Sequence, residues 1–325
     1  MGRMVNGVWQ TDEQIAASDG RFHRAETSFR SWITPDGAPG PSGEGGFPAE
    51  GRRYHLYVAW ACPWAHRTLI FRKLKKLESL IGVSFVETVL DDRGWSFSER
   101  RPDDLGGHRR LYEVYAEARP DYSGRASVPV LWDRKRNTIV SNESSEIIRM
   151  FNTAFDGIGG DASRDFYPKP LRAEIDRLNA IIYATVNDGV YRCGFARTQA
   201  AYDEAATALF STLDMIEERL AANRYLTGER LTEADWRLFP TLVRFDAIYL
   251  THFKCNLRRI SDYPSIHGYL RELYQMPGIA ETTDLDDARG HYYLSHRSIN
   301  PRGIIPIGPT IDLTSPHGRQ RLRAA

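Results

Sequence analysis

At 325 residues the chain has the length of about two domains, since a single core of that size would be unusually large. Hydrophobic residues make up 42%, charged residues 26%, and Lys+Arg (43) balance Asp+Glu (42) to a net charge of +1; this excludes a largely disordered or fibrous chain and gives no reason to expect nucleic acid or a membrane surface as partner. With no apolar run near the ~18 residues of a membrane span, no secretory apolar block in Met1 to Gln10, and three cysteines, too few for a disulfide framework, a reducing, cytoplasmic setting is expected.

Residues 1 to 34 mix charge with Trp9, Phe22, Phe29 and Trp32 and hold no sustained period. From Pro35 to Gly51, 10 of 17 residues are Gly or Pro, which predicts a connecting loop. Arg53 to Trp60 is aromatic and branched and reads as a strand, broken at Ala61-Cys62-Pro63. Ile70, Leu74, Leu77 and Ile81 then recur at helical spacing, with Arg72, Lys73, Lys75 and Lys76 predicted on a solvated face. Gly82 to Val89 is a second strand. Residues 91 to 124 form a long insert with a helical signal at Leu111 to Ala118. Val128 to Trp132 and Thr138 to Ser141 are two further strands around a polar turn, and Asn142-Glu143 opens a helix running to Phe151. Strands alternating with helices in this way predict a mixed sheet of the α/β class.

Beyond the loop Phe155 to Pro170 the character turns helical. Leu171, Ile175, Leu178, Ile182 and Val186 are in register, and Tyr202, Ala206, Leu209, Leu213, Ile216 and Leu220 step by 4, 3, 4, 3, 4. Both stripes are read as core packing. Thr232 with Asp235 has the form of a capping box. Pro264 opens a helix ended by Pro277-Gly278, and the Pro-containing tail from Ser298 is predicted to be extended. No internal repeat is present.

Cys62 stands where a strand ends and a helix begins, followed by Pro63, a residue favoured in the first helical turn. The free N–H groups and the positive end of a helix stabilise an anion there, and cysteines so placed have thiol pKa values lowered to roughly 3.5–7.5. A redox dithiol would carry a second cysteine three positions on, where this chain has Ala65. A mixed disulfide at Cys62 therefore needs an external thiol to resolve it. Ser127-Val128-Pro129 adds a proline at a strand start, and a cis bond there would expose the Val128 backbone to a peptide-like ligand. Cys193 and Cys255 precede no helix start and read as packing residues. The cysteine spacings fit no zinc pattern and the nine histidines form no ligand-spaced pair, so no metal is expected.

Tyr54 to Trp60 followed by Ala61-Cys62-Pro63-Trp64-Ala65-His66-Arg67 resembles the active-site segment of glutathionyl-hydroquinone reductases, the xi class of the glutathione transferase superfamily. The resemblance extends through Gly94-Trp95-Ser96-Phe97, Gly124 to Asp133, Ile139 to Ile148, Asn187 to Ala196, Ala234 to Phe239, His291-Tyr292-Tyr293 and Ile299-Asn300-Pro301. It covers residues 53 to 309, and residues 1 to 50 are its least diagnostic part. It implies the glutathione transferase fold: an N-terminal extension with the Gly/Pro-rich loop (1–50), an α/β thioredoxin-like glutathione-binding domain (51–155), and an all-α helical-bundle C-terminal domain with an extended tail (156–325), the site lying in the cleft between the two domains. It also implies a homodimer.

The implied reaction removes glutathione from S-glutathionyl-hydroquinones, giving hydroquinone and, with a second glutathione as co-substrate, glutathione disulfide. Cys62 matches the nucleophile. Trp95, Arg125, Val128, Glu143 and Ser144 match the glutathione contacts, and Tyr191, Tyr292 and Tyr293 match residues around the quinol ring, the first two also serving catalysis. Each role has a physical rationale. Ser144 and backbone N–H groups at a helix start can bind the ligand's carboxylate while Glu143 accepts from its ammonium. Arg125 can pair with a carboxylate in a fork. Val128 offers backbone groups to the cysteinyl unit. Tyr191 and Tyr292 supply an aromatic wall with O–H donors, and a donor at the ring oxygen, or protonation of the ring carbon, would help the hydroquinone leave as a carbanion-like group. Two alternatives remain: an omega-like thioltransferase or dehydroascorbate reductase, and a non-catalytic interaction module on the same fold.

Overall fold

The computed structural model describes residues 2–11, 19–43, 45–320 and 322; the rest of the N-terminal extension and of the C-terminal end lies outside the described residues. The chain gathers into two compact units, one of Met1–Gln14, Ala25–Asp165 and Asp286–His291, the other of Ile15–Arg24, Phe166–Leu285 and Tyr292–Ala325.

The first unit starts with a hairpin of β1 (Arg3–Val5) and β2 (Val8–Gln10). The Gly/Pro-rich stretch is more than a connector: β3 (Trp32–Thr34) pairs in parallel with β4 (Gly46–Pro48), and Phe47 is buried there. The central sheet contains β5 (Tyr54–Val58), β6 (Ile81–Phe85), β7 (Val130–Asp133) and β8 (Thr138–Ser141) in the order β6-β5-β7-β8. β5 runs parallel to β6 and antiparallel to β7, as β7 does to β8. A parallel pair needs a crossover, and α1 (Pro63–Leu74) supplies it, packing with α3 (Ser144–Thr153). α2 (Leu111–Ala118) rises from the insert. This is the expected α/β thioredoxin-like arrangement. Every β5 residue is buried, and Arg53 forks onto Asp133, with Nε 2.9 Å from Oδ1, tying the start of β5 to the end of β7. Both partners are buried, so loss of either would strand the other's charge.

One expectation about α1 is corrected. Lys75 is not on a solvated face: its ammonium is fully buried, 2.9 Å from Asp156 Oδ1 and 2.7 Å from the Arg164 carbonyl oxygen. The loop after α3 folds back over it, which the local helical pattern cannot reveal.

The second unit is helical: α4 (Arg172–Ile182), α5 (Gly189–Gly194), α6 (Gln199–Ala222), α7 (Glu233–Arg244), α8 (Leu250–His252) and α9 (Pro264–Tyr274). α10 (Leu285–Ser295) carries Tyr292 and Tyr293. Wide π turns at Tyr183–Asn187 and Phe245–Tyr249 interrupt the helical runs just before α5 and α8. Such turns commonly re-aim side chains at functional sites, and here they precede or contain Tyr191 and Tyr249. The α6 stripe starts one residue earlier than its spacing suggests, at Ala201 and Ala205, because Tyr202 leans out to donate to the Lys254 carbonyl oxygen at 2.6 Å. The Thr232–Asp235 capping box is present, and buried Asp235 also accepts from Leu226 N and Tyr269 Oη. Residues after Ser295 form no further helix or strand among those described.

Candidate active site

Cys62 is the N-cap of α1, in extended backbone (φ −77°, ψ 115°), with Pro63 behind it and no acidic residue in the first turn. The strand delivers the residue and the proline starts the helix, so Sγ meets the helix's free N–H groups. Sγ accepts from Ala65 N at 3.4 Å and donates to the Val128 carbonyl oxygen at 3.3 Å. The thiol is half-buried, whereas Cys193 and Cys255 are buried. An anion at Sγ keeps the Ala65 N–H and the helix end, and no first-turn carboxylate opposes it.

The peptide bond between Val128 and Pro129 is cis. The segment before it is held by Tyr115 of α2. The phenol donates to the Ser127 carbonyl oxygen at 2.7 Å and accepts from Ser127 N at 3.3 Å and from Asn142 Nδ2 at 3.1 Å. Burial pushes the Tyr115 phenol well above its ordinary range, so it stays a donor. Asn142 in turn accepts from Phe29 N at 3.2 Å. Ser127 and Val128 are thus positioned by a fixed network rather than by a free loop.

Glu143 caps α3: its carboxylate accepts from Ser145 N at 3.0 Å and from Ser145 Oγ at 2.8 Å, with Thr27 Oγ1 donating at 3.3 Å. Ser144 is the first residue of the helix and is buried. Arg67, also buried, reaches Ser144 Oγ at 3.4 Å and lies over the Trp64 ring at 4.6 Å. A guanidinium at a helix N-terminus adds to the local preference for an anion. Sequence reasoning gave Arg67 no role, yet it sits three positions before Ile70 on the apolar stripe, and a charge in such a register is a signal. Arg125 is half-buried, its carbonyl oxygen accepting from Tyr122 Oη at 3.1 Å. Trp95 is buried and stacked on His291 at 4.8 Å. Burial lowers the His291 pKa to about 4, so the ring is neutral and donates through Nδ1 to the Thr88 carbonyl oxygen at 3.0 Å.

The second unit brings three tyrosines together. Tyr191 Oη lies 2.6 Å from Tyr292 Oη, which lies 3.1 Å from Tyr249 Oη. Tyr292 and Tyr249 are buried and Tyr191 half-buried. Burial, then the neighbouring phenols, hold Tyr292 protonated well above the ordinary tyrosine range. Tyr293 is buried against His252, with ring centroids 4.7 Å apart, and its hydroxyl points to the Ile248 carbonyl oxygen at 3.5 Å. Tyr249 was missed by sequence reasoning. It lies in an apolar run whose π turn carries no local signature.

The geometry thus places Cys62 beside Val128, Ser144 beside Glu143 and Arg67, Trp95 against His291, and Tyr191 against Tyr292. Among the described residues no group of three or more His, Cys, Asp or Glu could hold a metal ion, and no helix is long and apolar enough to cross a membrane.

Two family models match: the glutathione S-transferase N-terminal domain over residues 61–154 and the C-terminal domain over residues 199–272. The chain is 57% identical to the glutathionyl-hydroquinone reductase YqjG of Escherichia coli over 98% of both chains. It is 50% identical to the glutathionyl-hydroquinone reductase PcpF of Sphingobium chlorophenolicum over 95% of this chain and 96% of that protein. The glutathione-bound structure of the Escherichia coli protein superposes with a TM-score of 0.91 at 55% identity, covering 98% of this chain and 99% of that one.

Proposed function

The chain belongs to the glutathione S-transferase family, in its xi-class branch of glutathionyl-hydroquinone reductases, and from that premise we propose that it is a glutathione-dependent reductase removing glutathione from S-glutathionyl-hydroquinones through Cys62. The Cys62 thiolate attacks the glutathione sulfur of the conjugate. A sulfur–sulfur bond forms, the carbon–sulfur bond breaks, and its electron pair stays on the ring carbon, which takes up a proton to give the hydroquinone. A second glutathione thiolate attacks the bound glutathione sulfur, releasing glutathione disulfide and the Cys62 thiolate. The observation that carries this reading is the Cys62 thiol at the start of α1, 3.4 Å from Ala65 N, with alanine where an internal resolving cysteine would stand.

In this reading Val128 pairs with the cysteinyl unit of glutathione, Ser144 and the α3 N-terminus take a carboxylate beside Arg67, and Glu143 takes the ammonium. Arg125 and Trp95 complete the glutathione contacts. Tyr191, hydrogen-bonded to Tyr292, gives the proton to the ring carbon, and Tyr293 supports that cluster. We assign the protein to the cytoplasm, which its free thiols favour, and take it to be a homodimer, in keeping with exposed Ile304, Ile305 and Ile307.

Cys62→Ser tests the assignment. The variant is expected to lose deglutathionylation while still binding S-methylglutathione, and full turnover in it would sink the mechanism. Turnover of a small mixed disulfide and of dehydroascorbate, measured beside a glutathionyl-hydroquinone, separates this reading from a general thioltransferase.

A further inference from the structure

The segment of residues 19–24 belongs to the helical unit, and it ends in Arg24. The Arg24 guanidinium carbon stands 4.7 Å from the Tyr191 ring centroid, and Nε donates to Asp188 Oδ1 at 2.6 Å. Asp188 and Tyr191 are three positions apart at the start of α5 and share one helix face. A cation from a distant part of the chain thus lies over the ring and is fixed by a carboxylate on the same face. Tyr249 and Tyr292 also face Tyr191, and neither supplies a positive charge. Phe22, Phe195 and Phe253 pack around the same ring and shield part of it from solvent.

A cation over an aromatic face is attracted by the ring's negative quadrupole. The attraction grows when the ring carries the full charge of a phenolate. Tyr292, held protonated by its burial, can donate to the same phenolate oxygen.

We infer that Arg24, anchored on Asp188 and laid over the Tyr191 ring, is a positioning residue that stabilises the phenolate formed when Tyr191 gives its proton to the hydroquinone carbon. The inference rests on the assignment of Tyr191 as proton donor. The step balances: the electron pair of the broken carbon–sulfur bond takes the Tyr191 proton. The phenolate then recovers a proton from the incoming glutathione thiol, whose thiolate cleaves the Cys62–glutathione disulfide.

The test compares full-length wild type with Arg24→Gln, Arg24→Lys and Tyr191→Phe, using the pH dependence of kcat on one glutathionyl-hydroquinone. A proton donor must be protonated, so kcat falls on the basic side as Tyr191 ionises, and a nearby cation brings that limb to lower pH. Removing the cation moves the limb up. Arg24→Gln is therefore expected to show about tenfold lower kcat and a basic limb about one pH unit higher, with the KM for glutathione changed less than about twofold. Arg24→Lys keeps the charge and is expected to lie between the two; where the glutamine variant does not fold, the lysine variant carries the same comparison. A basic limb unmoved in a folded Arg24 variant would overturn the inference, even if kcat fell. Full turnover in Tyr191→Phe would overturn the assignment of Tyr191 instead, so the two failures are told apart.

Discussion

The thiol of Cys62 donates to the carbonyl oxygen of Val128 across 3.3 Å, joining residues 66 positions apart in the chain. The proposed nucleophile and the peptide edge that would hold the substrate's cysteinyl unit are therefore one local structure. Ionisation of the thiol gives up this bond and keeps the one from Ala65 N. The Val128 carbonyl is then left to accept from a bound peptide.

The three cysteines should differ sharply in reactivity. Cys62 is half-buried at a helix N-terminus, while Cys193 and Cys255 are buried, and burial pushes the Cys255 thiol well above its ordinary range. Brief iodoacetamide treatment of the native protein at neutral pH, followed by peptide mapping, is expected to label Cys62 alone. The other two should label only after unfolding. Native labelling of Cys255 ahead of Cys62 would contradict the account.

Tyr115 carries three hydrogen bonds at the segment preceding Val128. Tyr115→Phe leaves the Ser127 and Asn142 groups without their partner and is expected to cost about 1–3 kcal/mol of stability. Because the loss falls on the segment proposed to pair with glutathione, the KM for glutathione should rise severalfold while kcat changes less. Denaturant unfolding and steady-state kinetics measure both.

Stability should fall as pH is lowered through the histidine range. His55 and His291 are held neutral by burial, each with its pKa lowered from 6.5 to about 4. Below pH 6.5 the unfolded chain binds protons that the folded chain refuses, so unfolding is favoured increasingly down to about pH 4. The loss is of order 3 kcal/mol per histidine. Thermal melts between pH 7 and pH 4 should show this decline, and His291→Gln should flatten part of it.

Local signals are legible in the sequence. α2 and β8 have the bounds that their pattern indicates, Glu143 caps α3, and the Cys62-Pro63 start follows from proline's preference for a first turn. What escapes depends on distant partners. Lys75 looks like a surface lysine on its helix, and only the returning loop at 156–164 makes it a buried anchor. Arg24 has no helical or strand context, and its meaning comes from Asp188 and Tyr191, more than 160 positions away. Tyr249 is one aromatic among many until the π turn brings its hydroxyl to Tyr292. Arg67 is a different case. Its position on the apolar stripe of α1 is visible in the spacing alone, and a charge in that register marks a side chain turned inward.

The central claim is that hydroquinone leaves as Cys62 becomes disulfide-bonded to glutathione. The most direct measurement is a single-turnover reaction with enzyme in excess over a glutathionyl-hydroquinone and no free glutathione, quenched in acid and followed by intact-protein and peptide mass spectrometry. One equivalent of hydroquinone should appear together with one glutathione on Cys62, released on later addition of glutathione. Hydroquinone appearing without a Cys62 adduct, or only after free glutathione is added, would contradict the account.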